Sequence, residues 1–140
     1  MKIVCRSTNS FALPLPQRGR LKDIDQNYPV TGGHEYQVLG MHLWENVLSL
    51  LVLDDRGLPC FVPAGLFALG DHVMPQHWKF GLKQGIQEED GPGLWSNPLG
   101  AIWGYTELVS DEGHSDALLE NDVGALAIFY SYLELPIDDE

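Results

Sequence analysis

Between Glu35 and Asp71 three apolar runs of strand length are separated by turn chemistry, and this pattern limits the fold more than any other feature of the chain. The first run holds Tyr36, Val38, Met41 and Leu43, and the second holds Val47, Leu48 and Leu50 to Leu53. Between them stands the pair Glu45-Asn46, so the two runs read as a β-hairpin, although Glu-Asn is a weaker turn signal than Asn-Gly. Gly40 interrupts the alternation of the first run, which predicts a bulge. A bulge would shift the side-chain parity, which accounts for Tyr36/Val38 and Met41/Leu43 being out of phase. The run Leu50 to Leu53 is continuous, so both faces of that strand should be covered.

Asp54-Asp55-Arg56-Gly57 is the strongest turn. Asp side chains bond their own backbone, and Gly supplies a positive φ. The third run is Leu58 to Val62, with Pro59 at a strand start or on an edge because it has no N–H for a ladder. Pro63 to Phe67 then reads as one tight helical turn leading into a short strand, Phe67 to Leu69. The fold expected is α+β: a small antiparallel SH3-like β-barrel or meander over residues 35–105, with C-terminal helices over 115–134.

The flanks add elements at lower contrast. Residues 2–6 alternate weakly, as a first strand would. Residues 7–33 contain Pro14, Pro16, Gly19, Pro29, Gly32 and Gly33, and read as a long loop or an irregular strand pair. Trp78 and Phe80 alternate as in a strand, and Leu99 to Tyr105 forms another. Leu119, Val123, Leu126, Tyr130 and Leu133 recur at helical spacing, which predicts a short helix over 115–121 and a longer one over 122–134. Ser115 and Asn121 are good N-caps, and Pro136 is a stop.

A chain of 140 residues is expected to form a single domain. It has no apolar run long enough for a membrane span. Its start, Met1-Lys2-Ile3-Val4-Cys5-Arg6, is charged too soon for a signal peptide, so a cytosolic location is expected. In that compartment Cys5 and Cys60 read as small buried hydrophobes.

Charge is the most informative bulk property. The formal net charge is −12, and it is segregated. The last Lys or Arg is Lys83, yet 13 of the 20 acids follow it. Such asymmetry points to an interaction surface of one sign. Phosphates would be repelled, so nucleic acid and anionic membranes are disfavoured, and a basic protein is favoured. The competing explanation is that the acids serve solubility.

Catalytic signatures are lacking. Ser, His and Asp occur, but not in a strand–Gly-x-Ser-x-Gly–helix unit. Around His72 and His77 no Cys or acidic ligand completes a recognisable metal set. Asp54-Asp55 and Glu88-Glu89-Asp90 lack the ligand spacing of an EF-hand. A binding module without metal or cofactor is therefore expected. The alternative is a small enzyme or ligand-binding barrel that uses His72, His77 or the barrel mouth and has a concave pocket with shifted pKa values.

The segment Asp54-Asp55-Arg56-Gly57-Leu58-Pro59-Cys60-Phe61-Val62-Pro63-Ala64-Gly65-Leu66-Phe67, followed by Pro75-Gln76-His77-Trp78-Lys79-Phe80 and by Trp103 to Leu108, resembles a group of small acidic bacterial proteins. These are similar to the immunity proteins encoded beside polymorphic toxins. The resemblance spans about half the chain and rests on turn and core positions, so it carries over no functional residue. It implies a protein that binds a toxin domain and blocks its active site. The residues expected to meet the partner are Glu88, Glu89, Asp90, Asp111, Glu112, Asp116 and Glu120, with Trp95 and Tyr105 as apolar anchors. Trp103 is expected to lie in the core.

Overall fold

The structure, a computed structural model, describes residues 1–14, 26–44, 47–71, 73–84 and 99–133. The strands are β1 (Lys2–Cys5), β2 (Glu35–Trp44), β3 (Val47–Leu53), β4 (Pro59–Pro63), β5 (Phe67–Leu69), β6 (Lys79–Gln84) and β7 (Leu99–Gly104). The helices are α1 (Thr106–Ser110), α2 (His114–Leu119) and α3 (Val123–Ser131). Among the described residues the chain is thus α+β, with an open antiparallel sheet of seven strands and three short C-terminal helices. No helix among the described residues is long and apolar enough to cross a membrane.

Long β2 organises the sheet. Along one edge it pairs with β3, from Val38↔Val52 to Trp44↔Val47. The hairpin expected from the apolar runs is present, while its turn residues Glu45 and Asn46 lie outside the described residues. Along the other edge β2 is shared: Glu35 to Gln37 pair with β1, and Gly40 to Leu43 pair with β7. The bulge falls between these two halves. Val38 opposes Val52 and Gly40 opposes Leu51, so Leu39 is the extra residue.

The bulge lets alternate residues feed two cores, one on each face of the sheet. Tyr36, Val38, Leu50, Val52 and Val62 join Ile3, Cys5, Leu66 and Trp78 on the first face. Leu39, Leu51 and Ile102 meet Tyr105, Leu108, Leu118, Ala125 and Phe129 on the second. Leu50, Leu51 and Val52 are all buried, which is the two-sided burial expected of that run. Trp103 is half-buried against the first core, and its ring lies 5.1 Å from that of Phe80.

Strands β4 and β5 sit at opposite ends of the path β4-β3-β2-β1-β5, yet one 3-10 turn, Ala64–Leu66, joins them. Five strands laid flat would separate those ends by roughly 19 Å. A 3-10 turn rises only about 2 Å per residue, so the sheet must curl. Among the described residues no ladder joins β4 to β5, and the sheet remains open.

The Asp54–Gly57 turn is built as its residues dictate. Gly57 has φ +78°. The buried Asp54 Oδ1 accepts from the N–H of Arg56 at 2.8 Å and of Leu58 at 3.2 Å, and its Oδ2 pairs with the Arg56 guanidinium at 2.7 Å. Asp55 accepts from the Tyr36 hydroxyl and from the Thr31 hydroxyl, each at 2.6 Å. These hydrogen bonds hold the Asp55 carboxyl below its usual range. The turn is therefore tied to the 29–31 loop and to the start of β2.

The helix expectations need correction in several places. Residues Thr106–Ser110 form a helix, α1, which the sequence pattern does not announce. The helical stripe is also only partly the buried one. Leu119, Val123 and Tyr130 face solvent, while Leu126 and Leu133 of the expected stripe are half-buried against the second core, which Leu118, Ala125 and Phe129 enter fully. Asn121, at φ +58°, breaks the helix between α2 and α3 and resets the phase. The cap of α3 is Asp122, whose side chain accepts from Ala125 N at 3.0 Å. Ser115 lies inside α2, whose N-cap position is Gly113.

Candidate functional site

The described acids after Lys83, from Glu107 to Asp122, are carried by a layer of three helices docked on the second face of the sheet. Docking begins at two glycines. Gly40 of β2 and Gly104 of β7 lie opposite each other, and a Cβ on either would run into the Leu108 side chain. The missing side chains leave a slot that Leu108 of α1 fills, and Leu108 is fully buried. Val109 packs above Gly81 of β6. Farther along, Leu118, Ala125 and Phe129 hold α2 and α3 to the same core.

This inward set turns the acids outward. Asp111, Glu112, Asp116 and Glu120 are exposed, as is Asp122, which sequence reasoning did not include in the site. Among the described residues none of these carboxylates is in a salt bridge with a Lys or Arg. Asp111 also shapes its own turn, where its Oδ1 accepts from Gly113 N at 3.1 Å. An open groove of about 910 Å³ runs between Leu82 and Lys83 of β6 and the Val109–Gly113 segment, so Asp111 and Glu112 line the wall across from Lys83.

Tyr105 is not part of this surface. It is fully buried, so the expectation that it anchors a partner is corrected. The reason is its place at the N-cap of α1, where the chain leaves β7 and the side chain is enclosed by the helix layer. Its ring stacks on Tyr132 with centroids 4.5 Å apart, and Tyr132 stacks in turn on His77 at 5.8 Å. Its hydroxyl lies 2.5 Å from Nε2 of buried His114, and the Tyr132 hydroxyl donates to Glu107 at 2.7 Å. Glu88, Glu89, Asp90 and Trp95 lie outside the described residues.

Burial pushes the Tyr105 hydroxyl well above its usual range. Burial also lowers the His114 pKa, while Asp111 and Glu107 pull it back up in part. With the imidazole proton on Nδ1 the hydroxyl donates to Nε2, and with it on Nε2 the ring donates to the hydroxyl oxygen. The pair is a polar clamp between the end of β7 and α2. No local spacing in the sequence signals it, because it joins two elements only after the helices dock.

This clamp has a pH consequence. Unfolded histidine titrates near 6.5. The folded His114 binds its proton less readily, so the unfolded chain holds more protons as pH falls through that value, and stability declines with it. His42, stacked on Phe61 at 4.3 Å, is depressed by burial in the same direction. Thermal unfolding between pH 8 and 5 should show a falling Tm through about pH 6.5. The fall should be smaller in a His42→Gln/His114→Gln variant. A flat profile for the wild-type protein would refute this.

His77 is exposed and stacked on Tyr132, and His72 lies outside the described residues. Among the described residues no three His, Cys, Asp or Glu side chains are grouped to hold a metal ion. Cys5 and Cys60 are free thiols, and burial raises the pKa of Cys60 to about 11. No protein-family model, curated protein or solved structure matches the chain.

Proposed function

We propose that this chain is a cytosolic binding module of the immunity type, which neutralises a basic bacterial toxin domain by covering its active site. In this reading the curled sheet is an SH3-like scaffold, and the helical layer is the face that meets the toxin. The observation that carries the proposal is the outward display of Asp111, Glu112, Asp116, Glu120 and Asp122 on one layer, without a salt-bridged Lys or Arg among the described residues. Like charges set together destabilise a fold by self-repulsion, and solubility alone does not call for their segregation. Complementary charge raises association rate and specificity more than it raises affinity. The same field disfavours nucleic acid and anionic membranes. The module does no chemistry and uses no cofactor.

The test is stopped-flow association with the toxin domain encoded beside the chain's own gene. The wild-type on-rate should fall about tenfold or more from low to high salt as steering is screened. Reversing Glu88, Glu89, Asp90, Asp111 and Glu112 to Lys should slow association strongly. Reversing Asp23 and Asp25 should do much less. A salt-independent rate, or equal rates for the two variants, would return the acids to a solubility role.

A further inference from the structure

Helix α3 has the sequence Val123-Gly124-Ala125-Leu126-Ala127-Ile128-Phe129-Tyr130-Ser131, which contains no charged residue. A helix apolar on all sides is ordinarily buried on all sides, because a surface helix places its polar residues toward water. Here burial is one-sided. Ala125 and Phe129 enter the core, while Val123, Ala127 and Tyr130, at i, i+4 and i+7, form one exposed face. Val123 is 83% exposed and Tyr130 is 38% exposed. Leu119, at the end of α2 and four residues before Val123, is 59% exposed. The Tyr130 hydroxyl donates to the Gly57 carbonyl at 2.6 Å, which fixes its ring at one end of the face.

The charged residues nearest in sequence to this strip are Asp116, Glu120 and Asp122, all exposed. An apolar strip with a rim of one sign selects its complement. We infer that the outer face of α3, with Leu119, is the anchor for the partner, and that the partner presents an apolar stripe flanked by Lys or Arg, as on a basic amphipathic helix. This inference rests on the binding-module reading above and deepens it: acids steer, and the α3 face holds. A second copy of the chain fits poorly. A two-fold contact through the same patch would set the Asp116, Glu120 and Asp122 rims of two acidic chains near each other. Arg56, beside Gly57 at the Tyr130 end, is already engaged by Asp54.

The probe is a fluorescein-labelled synthetic 18-residue Leu/Lys amphipathic peptide (roughly five helical turns), followed by anisotropy against the full chain at about 0.15 M salt. A Ser/Lys peptide of equal charge and a Leu/Glu peptide are the controls. The Leu/Lys peptide should bind, and the Leu119→Ser/Val123→Ser variant should weaken it about tenfold or more, since truncating two anchors removes at least about 1.4 kcal/mol. Its circular dichroism should match the wild type. Ala127→Gln, a helix-compatible change on the same face, should weaken binding too and serves if the double variant does not fold. Unchanged Leu/Lys binding in the variants would overturn the α3 anchor and leave the charge-steering reading standing. Equal binding of the Leu/Glu peptide would also overturn it. So would a concentration-dependent dimer in sedimentation that Leu119→Ser/Val123→Ser dissolves, which would assign the face to a second copy. Loss of salt-dependent toxin association in the preceding experiment would instead sink the parent reading.

Discussion

Replacing Phe129 by alanine is expected to destabilise the fold by about 3–5 kcal/mol. Phe129 is fully buried in the core beneath the helix layer, among Leu39, Leu51, Ile102, Tyr105, Leu108 and Leu118. Removing its ring forfeits the transfer of a large apolar surface and leaves a cavity between α3 and the sheet. Domains of this kind have total stabilities of about 5–15 kcal/mol, so the loss is a large share of the whole. Tm should drop by roughly 10 °C or more. The matching control is Val123→Ala on the same helix. Val123 projects into solvent, and its replacement should stay within about 0.5 kcal/mol. Urea unfolding of both variants measures the contrast. Similar midpoints for the two would mean that α3 does not pack by the face described. Because α3 and α2 share this core, Phe129→Ala should also loosen the layer that displays Asp116, Glu120 and Asp122, and partner association should weaken with it.

Gly104→Ala is expected to cost about 1–3 kcal/mol, although it adds a single methyl group. A Cβ at this position would lie 2.6 Å from Leu108 Cδ2, 3.0 Å from the Leu39 carbonyl oxygen and 3.1 Å from Gly40 Cα. Two of those neighbours are backbone atoms of the bulged part of β2 and cannot rotate away. The third is the side chain that docks α1. A double-mutant cycle separates them. Leu108→Ala alone should destabilise by about 2–5 kcal/mol, as buried leucines do. Combined with Gly104→Ala it should cost less than the sum, since the shortened residue 108 makes room for the new methyl. Strict additivity would show that the backbone contacts and the φ of +153°, rather than Leu108, limit residue 104. No measurable effect of Gly104→Ala would show that β2 and β7 approach less closely than described.

Much of the sheet was legible because its determinants are local. Apolar runs of strand length on either side of Glu45-Asn46 implied the β2–β3 hairpin, and the pairing runs to Trp44↔Val47. Asp and Gly chemistry implied the turn at 54–57, and Pro63-Ala64-Gly65 implied the tight turn into β5. Gly40 announced the bulge but not its purpose: the glycine is required by Leu108, 68 positions later, which no window along the chain contains.

The helices divide differently. Their existence near 114–131 was readable from spacing, while the caps are Gly113 and Asp122 rather than the expected Ser115 and Asn121. Which stripe faces inward was readable only at Leu126 and Leu133, because a helix with apolar residues on every side offers more than one periodic pattern. The stripe at Leu119, Val123 and Tyr130 is as regular as the buried one, and the sheet selected the set containing Leu118, Ala125 and Phe129. Five-residue α1 is too short to show a period at all. Tyr105 illustrates the same limit at the candidate site, since an aromatic at the end of a strand reads equally as anchor or core until the helix layer closes over it.

The amino-acid sequence alone determined the charge segregation after Lys83, the turns, the strand pattern and the bulge, since these depend on residue type and on neighbours a few positions away. Tertiary structure decided which acids stand together, which apolar face of α3 is left to solvent, and that Tyr105 and His114 share a buried hydrogen bond. The physical reason is that burial is a competition among faces for one sheet surface, and its outcome depends on contacts between residues far apart in the chain.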